Sequence, residues 1–323
     1  MSQLYNRICV LNVFKREETK SPTTGASALL DIDMAGTQFR SVMADGSPGF
    51  RIKFHLQKAT GPVPFANACQ ISIYNVGPTS RKLLSQLNNL VVLQAGYGKS
   101  ALTIFTGNIC SAKTSKHGPD YITELVVGDG LYAYQNSMVN LSFESGMTQA
   151  QIISALVTAL KDQGVTTGVI DGVPSTPYNK GVIVSGRTTD KIKEICEKND
   201  LQFSIQDSKV HIIPYGAALP NTIILISEDT GMIGMPVITD LTIMNNAVNL
   251  EAGSAQVAFE PGTQNPNLAP RISVRCLMNP GIGCYQKVAV KSKFINGNYT
   301  TTLVSHTGDT WGNDWFTDAE CSS

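Results

Sequence analysis

The chain has 323 residues, 42% of them hydrophobic, and its 25 Lys and Arg balance its 25 Asp and Glu. The length exceeds the ~100–200 residues of one domain, and the apolar fraction excludes a disordered chain, which lacks the burial to offset its ordering entropy. A formal charge of zero sets up no basic field for a phosphate backbone, which argues against nucleic acid as a partner, and its weak self-repulsion favours life in an assembly.

Met1 to Arg7 leads into a short apolar stretch, Ile8 to Val13, which Asn12 interrupts ahead of Phe14-Lys15-Arg16-Glu17-Glu18. That stretch is too short for a signal-peptide core, and no apolar run approaches the ~20 residues of a spanning helix. The expectation is a soluble protein without a membrane anchor, made in the cytoplasm, where the sequons at Asn140 and Asn298 stay idle. The seven cysteines, at 9, 69, 110, 196, 276, 284 and 321, are scattered and show no C-x-x-C spacing. A reduced compartment and buried packing account for them.

The first hundred or so residues read mostly as strands. Ile52, Phe54 and Leu56 alternate with Arg51, Lys53 and His55, and Ile71 and Ile73 with Gln70 and Ser72, so one face goes inward and the other stays wet. Gly77-Pro78 stops the second strand, and Thr79 to Leu84 reads as one or two helical turns. Leu90 to Tyr97 and Ala101 to Thr106 form a hairpin around Gly98-Lys99-Ser100, and a further strand runs from Tyr121 to Val127.

From Thr148 the period changes. Ile152, Ile153, Leu156, Val157 and Leu160 mark one helical face, opened by a Thr148 and Gln151 capping box and closed by Gly164. Asp171 to Pro177 holds two prolines and is a surface loop. Thr189 or Asp190 caps a second helix bearing Ile192, Ile195 and Cys196, after which Leu201, Phe203 and Ile205 alternate into a strand paired with Val210 to Ile213. After Pro220 strands return at Ile223 to Ile226, Leu241 to Met244, Ile272 to Cys276, Val288 to Val290 and Tyr299 to Val304. Gly253 to Pro270 reads as a long loop of the kind that carries partner contacts.

Motifs that tempt toward chemistry fail on spacing. Gly96-Tyr97-Gly98-Lys99-Ser100 lacks the first glycine of a P-loop, since position 93 is Leu93, and a strand follows where the motif needs a helix. Asp229-Thr230-Gly231 matches an aspartic-protease tripeptide, but it occurs once and Ser227-Glu228 replaces the apolar lead-in, so a turn is expected. The histidines at 55, 117, 211 and 306 form no i, i+4 pair. His306 lies near Asp309, Asp314 and Asp318 in sequence, which allows either an oxygen-rich metal site or a solvated turn, and the spacing fits no calcium loop. Trp311 and Trp315, the only tryptophans, are read either as anchors packed within the chain or as contacts for a neighbour. The sequence assigns no catalytic, cofactor-binding or metal residue and leaves the interface residues open.

Leu277-Met278-Asn279-Pro280-Gly281 precedes a Lys287-Val288-Ala289-Val290 strand, then come Ile295-Asn296-Gly297-Asn298-Tyr299 and the run from Val304 to Trp315. Earlier, Ile71-Ser72-Ile73-Tyr74-Asn75-Val76, Leu93-Gln94-Ala95-Gly96-Tyr97 and Phe105-Thr106-Gly107-Asn108-Ile109 follow one another. In these segments the chain resembles the baseplate hub proteins of contractile-tailed bacteriophages, the tail hub or late control protein D-like family. The first forty residues carry none of the likeness.

The resulting expectation is a β-rich α+β protein in which two small β-barrel-like domains flank a central α/β insert. Residues 1–118 hold the first barrel with an N-terminal extension, 119–145 a connecting strand segment, 146–218 the insert and 219–323 the second barrel. The resemblance implies a non-enzymatic, cofactor-free structural subunit of the virion tail baseplate, assembled in the host cytoplasm. Its homotrimer presents a pseudo-sixfold ring that joins the tail tube, or a tube-adaptor protein, to the central spike, among other baseplate proteins.

An alternative from another class is a tail-associated peptidoglycan hydrolase, for which Glu144, Asp190 and Glu194 are the nearest carboxylates to the insert. A third reading has the insert bind cell wall without cutting it.

Overall fold

The computed structural model describes residues 6–20, 27–32, 36–60, 67–220, 222–239 and 271–322. The strands expected at Leu241 to Met244 and the loop at Gly253 to Pro270 lie outside the described residues. In chain order, β1 (Arg7–Phe14), β2 (Arg16–Lys20), β3 (Ser27–Ile32), β4 (Thr37–Arg40), β5 (Ile52–Ala59) and β6 (Ala68–Tyr74) lead to helix α1 (Pro78–Leu84). β7 (Leu90–Tyr97), β8 (Ser100–His117), β9 (Asp120–Gly128) and helix α2 (Leu131–Asn136) follow. The middle holds β10 (Met138–Phe143), α3 (Gln149–Lys161), β11 (Thr166–Ile170), β12 (Val182–Arg187), α4 (Thr188–Glu197), β13 (Leu201–Gln206) and β14 (Lys209–Pro214). The last third is β15 (Ile224–Ser227), β16 (Met232–Thr239), β17 (Arg271–Leu277), β18 (Lys287–Lys291), β19 (Asn296–Asp309) and β20 (Trp315–Ser322).

The expectation of two β-barrel-like domains is overturned. Strands from both β-rich regions belong to one 13-stranded sheet in the order β16-β17-β20-β19-β5-β6-β9-β8-β7-β1-β4, with β15 and β18 attached beside β19, and among the described residues no sheet closes into a barrel. The physical reason lies in β19, which at 14 residues is far longer than β18. Its first residues pair with β18. Its second half pairs antiparallel with β5, from Leu303 opposite Ala59 to Asp309 opposite Lys53. Backbone groups that would close either region on itself are thereby committed to the other region.

The alternation read from sequence positions the core. β5 buries Ile52, Phe54, Leu56 and Lys58 on one face and β6 buries Cys69, Ile71 and Ile73. The apolar ones join Leu11, Val13, Phe39, Leu93, Phe105 and Val127 in one cluster, to which the C-terminal region adds Met278 and Trp315. Gly308 is required where β19 crosses this cluster, because a Cβ there would lie 2.4 Å from the Phe54 ring and 2.9 Å from Trp315.

The α/β insert keeps a core of its own. A β10–β12 antiparallel pair and a three-stranded sheet β11-β14-β13, with β11 parallel to β14, accompany α3 and α4. α3 buries Ile152, Ile153, Leu156, Val157 and Leu160, and the Thr148–Gln151 capping box is present. Each such side chain contributes about 1.5–3 kcal/mol by leaving water.

α4 departs from expectation. It starts at Thr188 with Arg187 as a cap that makes no side-chain bond. Thr188 is buried and its Oγ1 takes a 2.7 Å hydrogen bond from the Ser137 hydroxyl, so tertiary contact replaces local capping.

Candidate interaction site

The sequence motifs first disperse. Gly98 and Lys99 form a two-residue hairpin turn, with Tyr97 opposite Ser100 and Gly98 at φ 62°. β8 follows where a nucleotide loop needs a helix. Asp229 lies in the Glu228–Thr230 3₁₀ turn between β15 and β16. Glu194 is exposed and pairs on its own helix with Lys191 at 3.1 Å and Lys198 at 2.9 Å. Hydrogen bonds from Lys198 and Lys191 hold its carboxyl below the usual range. Glu144 and Asp190 are exposed, and neither shares a hydrogen bond or ion pair with Glu194 among the described residues.

His306 points inward and belongs to no cluster of metal ligands among the described residues. Nε2–H donates to the Ile282 carbonyl at 3.1 Å, which leaves Nδ1 to accept from the Thr317 hydroxyl at 2.8 Å. Burial, with a smaller effect of Lys58, pushes its pKa down to about 3, so the ring stays neutral.

Of the acidic residues near it in sequence, two are paired elsewhere and Asp314 is exposed. Asp318 pairs with Arg275 at 2.6 Å, and Asp309 with Arg51 at 2.8 Å and Lys53 at 3.4 Å. Burial pushes the Asp309 carboxyl up, but the Arg51 hydrogen bond and the Trp311 N–H outweigh it and bring the value down to about 2. Among the described residues no group of three or more His, Cys, Asp and Glu is placed to hold a metal. Burial raises the six buried thiols, with those of Cys196, Cys276, Cys284 and Cys321 pushed up to about 12, which makes them inert packing.

The two tryptophans divide the two readings given to them. Trp315 is 2% exposed and meets Phe54 and Tyr97 edge-on at 5.6 and 6.5 Å. Trp311 is 64% exposed on a turn that is itself fixed. Arg7 donates to the carbonyls of Gly312 at 2.6 Å and Asn313 at 3.3 Å. Asp309 accepts the Trp311 N–H at 3.0 Å, and Thr310 exchanges bonds with Ile52.

Trp311 borders a groove of about 340 Å³ lined also by Met43, Pro48, Phe50, Arg51, Tyr74 and Asp120. The Arg51 guanidinium lies 4.7 Å over the Tyr74 ring while bound to Asp309. A rigid turn presenting a large aromatic beside a stacked arginine is the composition of a protein-binding hot spot.

Two further features went unseen in the sequence. β16 exposes Ile233, Met235, Val237 and Ile238 at one end of the sheet, and the bulge between Ile233 and Val237, with Pro236 inside it, disrupts strand addition there.

The second feature is a polar junction between insert and sheet. Asp207 and Ser208, both at positive φ, form the two-residue tip of the β13–β14 hairpin. The Asp129 carboxylate accepts both their N–H groups, at 2.5 and 2.8 Å, and Lys58 binds both Asp207 oxygens at 2.6 Å. Asn67 donates to the Ile205 carbonyl at 2.7 Å and Gln206 to the Ala59 carbonyl at 2.9 Å. Alternation flanking Asp207-Ser208 signals a hairpin, but nothing local tells what its tip enters.

No protein-family model matches the sequence, and no curated protein matches it either. Solved structures do match. A tail protein from Neisseria meningitidis MC58 superimposes with a TM-score of 0.61 at 11% identity, over 99% of this chain and 97% of that one. The 43 kDa tail protein of prophage MuSo2 from Shewanella oneidensis gives 0.53 at 8% identity, over 85% and 98% of the two chains. An E. coli type VI secretion component, described as structurally similar to the T4 bacteriophage tail proteins gp27 and gp5, gives 0.52 at 10% identity, over 84% and 73%. Among the described residues no helix is long and apolar enough to cross a membrane. The chain has the fold of these tail proteins.

Proposed function

We propose that the chain is a structural, non-enzymatic subunit of a phage-type tail, the baseplate hub at the tip of a contractile tail's tube. Three copies form a ring between the tube, or its adaptor, and the central spike of the virion. The observation that carries this reading is the antiparallel pairing of β5 with β19, which fuses the two β-rich regions into one continuous wall. For a threefold ring of such subunits to serve a sixfold tube on one side and a threefold spike on the other, each of the two β-rich regions must offer the tube a contact. The match over nearly the full length of a tail protein supports the same reading. The isolation of the thiols, His306 and Glu194 within packing and surface pairs favours it over wall hydrolysis, which needs a convergent carboxylate pair.

Light scattering on a sizing column, over a range of concentrations, tests this. The expected mass is three times the 34.7 kDa of the chain, with threefold rings in electron micrographs. A monomer at every concentration overturns the ring as an intrinsic property.

A further inference from the structure

We propose that the turn between β18 and β19 is a knob that seats Phe294 in the Trp311 groove of a second copy of this chain. The contact rests on the ring proposed above and supplies its side chains.

Phe294 is 75% exposed, more than any other phenylalanine described. Its turn is nevertheless held in shape. The Ser292 hydroxyl donates to the Ile295 carbonyl at 2.9 Å and accepts the Ile295 N–H at 2.9 Å, and the Ser292 N–H donates to Asn296 Oδ1 at 3.1 Å. An exposed aromatic on a stiff turn loses little entropy when it docks. Lys291 and Lys293 precede it, both exposed and neither in an ion pair among the described residues.

The groove has the complementary character. Trp311, Met43 and Tyr74 offer apolar surface, Asp120 lies in the lining, and the exposed loop that supplies Met43 and Pro48 also carries Asp45. The one cation in the lining, Arg51, is already matched by Asp309. An aromatic knob preceded by two lysines therefore meets an aromatic groove with Asp120 and Asp45 beside it, neither of them in an ion pair among the described residues, which fixes orientation as well as contact.

Topology makes this contact pass between subunits. The knob adjoins β15, where Lys291 pairs with Ser227, and β15 leads through the 3₁₀ turn into β16. The groove gathers the loop that leads into β5 with the end of β6, the start of β9 and the turn after β19. Phe294 and Trp311 thus flank opposite ends of β19, whose 14 residues span about 45 Å. A knob at one end and its groove at the other make a heterologous interface, which closes into a ring when the rotation between copies allows it.

The test uses the full chain with Phe294→Ala, Phe294→Tyr and Lys293→Glu, followed by light scattering against concentration, with thermal melting as the check on folding. Phe294→Ala and Lys293→Glu are expected to raise the half-assembly concentration about 30-fold, and Phe294→Tyr to leave it within about twofold. A photo-crosslinking residue at position 294, in a mixture of isotope-labelled and unlabelled chains, is expected to join peptides holding Met43 or Trp311 of another copy. Trimers that form equally well with Phe294→Ala, or crosslinks that map elsewhere, overturn the knob and leave the ring standing. A wild-type monomer at every concentration overturns both.

Discussion

Lys58 Nζ lies 2.6 Å from both carboxylate oxygens of Asp207, tying a buried cation on β5 to the tip of the insert's hairpin. The two partners differ in burial, with 5% of the Lys58 side chain exposed against 39% for Asp207. Removing one partner is therefore not equivalent to removing the other. Asp207→Ala strands an ammonium in the interior, beside an Asp129 carboxylate already committed to backbone N–H groups, and should cost about 3 kcal/mol. Lys58→Met leaves a carboxylate that water can reach and should cost about 1 kcal/mol. Urea denaturation of the two variants measures the asymmetry, and equal losses would contradict it.

Asp129 makes the same junction sensitive to base. Burial and the Asp207 carboxylate push its pKa up to about 8, against the pull of Lys58 and two backbone N–H groups. A folded-state value above the unfolded one means that the folded chain holds the proton more tightly. Stability is then full below about pH 4 for this group and is lost as pH rises through about 8. Asp129→Asn removes the titration but keeps only one of the two acceptor oxygens. Its melting temperature should lie below wild type near pH 5, and the gap should narrow as pH rises through about 8 and wild type loses the stability of the protonated group; parallel curves would show that Asp129 does not titrate there.

His306 acts in the opposite direction. Its folded pKa is depressed to about 3, so stability is full above the unfolded value near 6.5 and is lost as pH falls through about 3. Asp309, held at about 2, adds to the loss at the acid end with the same sign. His306→Gln should cost about 1–3 kcal/mol at pH 7, where a buried hydrogen bond is disturbed, and should have a shallower acid slope. Chemical denaturation between pH 3 and 7 supplies both numbers.

Local pattern exposed much of this fold, and the limits are physical. Alternation over Ile52 to Leu56 fixes a buried face because successive strand side chains point opposite ways, and the capping box at Thr148 is closed within four residues. Closure of a sheet is different. Whether β5 turns back on its own region or pairs with β19 depends on residues such as Ala59 and Leu303, far apart in the chain, and both choices satisfy the same alternation. The junction is invisible for the same reason, since Lys58 and Asp207 are 149 positions apart. The Trp311 groove draws on four separate segments, around residues 43–51, 74–75, 120 and 311, none of which is unusual alone.

The two tryptophans, four residues apart and not distinguished by the sequence, should differ sharply in what their removal costs. Trp315 fills the space between Phe54, Tyr97 and the Gly308 backbone, so Trp315→Ala leaves a cavity and should cost about 3–5 kcal/mol. Trp311→Ala removes a side chain that is mostly in water and should stay within about 0.5 kcal/mol. Fluorescence gives an independent reading, because each single-tryptophan variant isolates one indole. Trp311→Phe should leave a blue-shifted emission that acrylamide hardly quenches, and Trp315→Phe a red-shifted emission that it quenches readily. In assembled protein the Trp311 emission should itself move to the blue and lose its quenching if the groove is filled by a neighbour. An indole equally exposed in monomer and ring would show that the groove stays open.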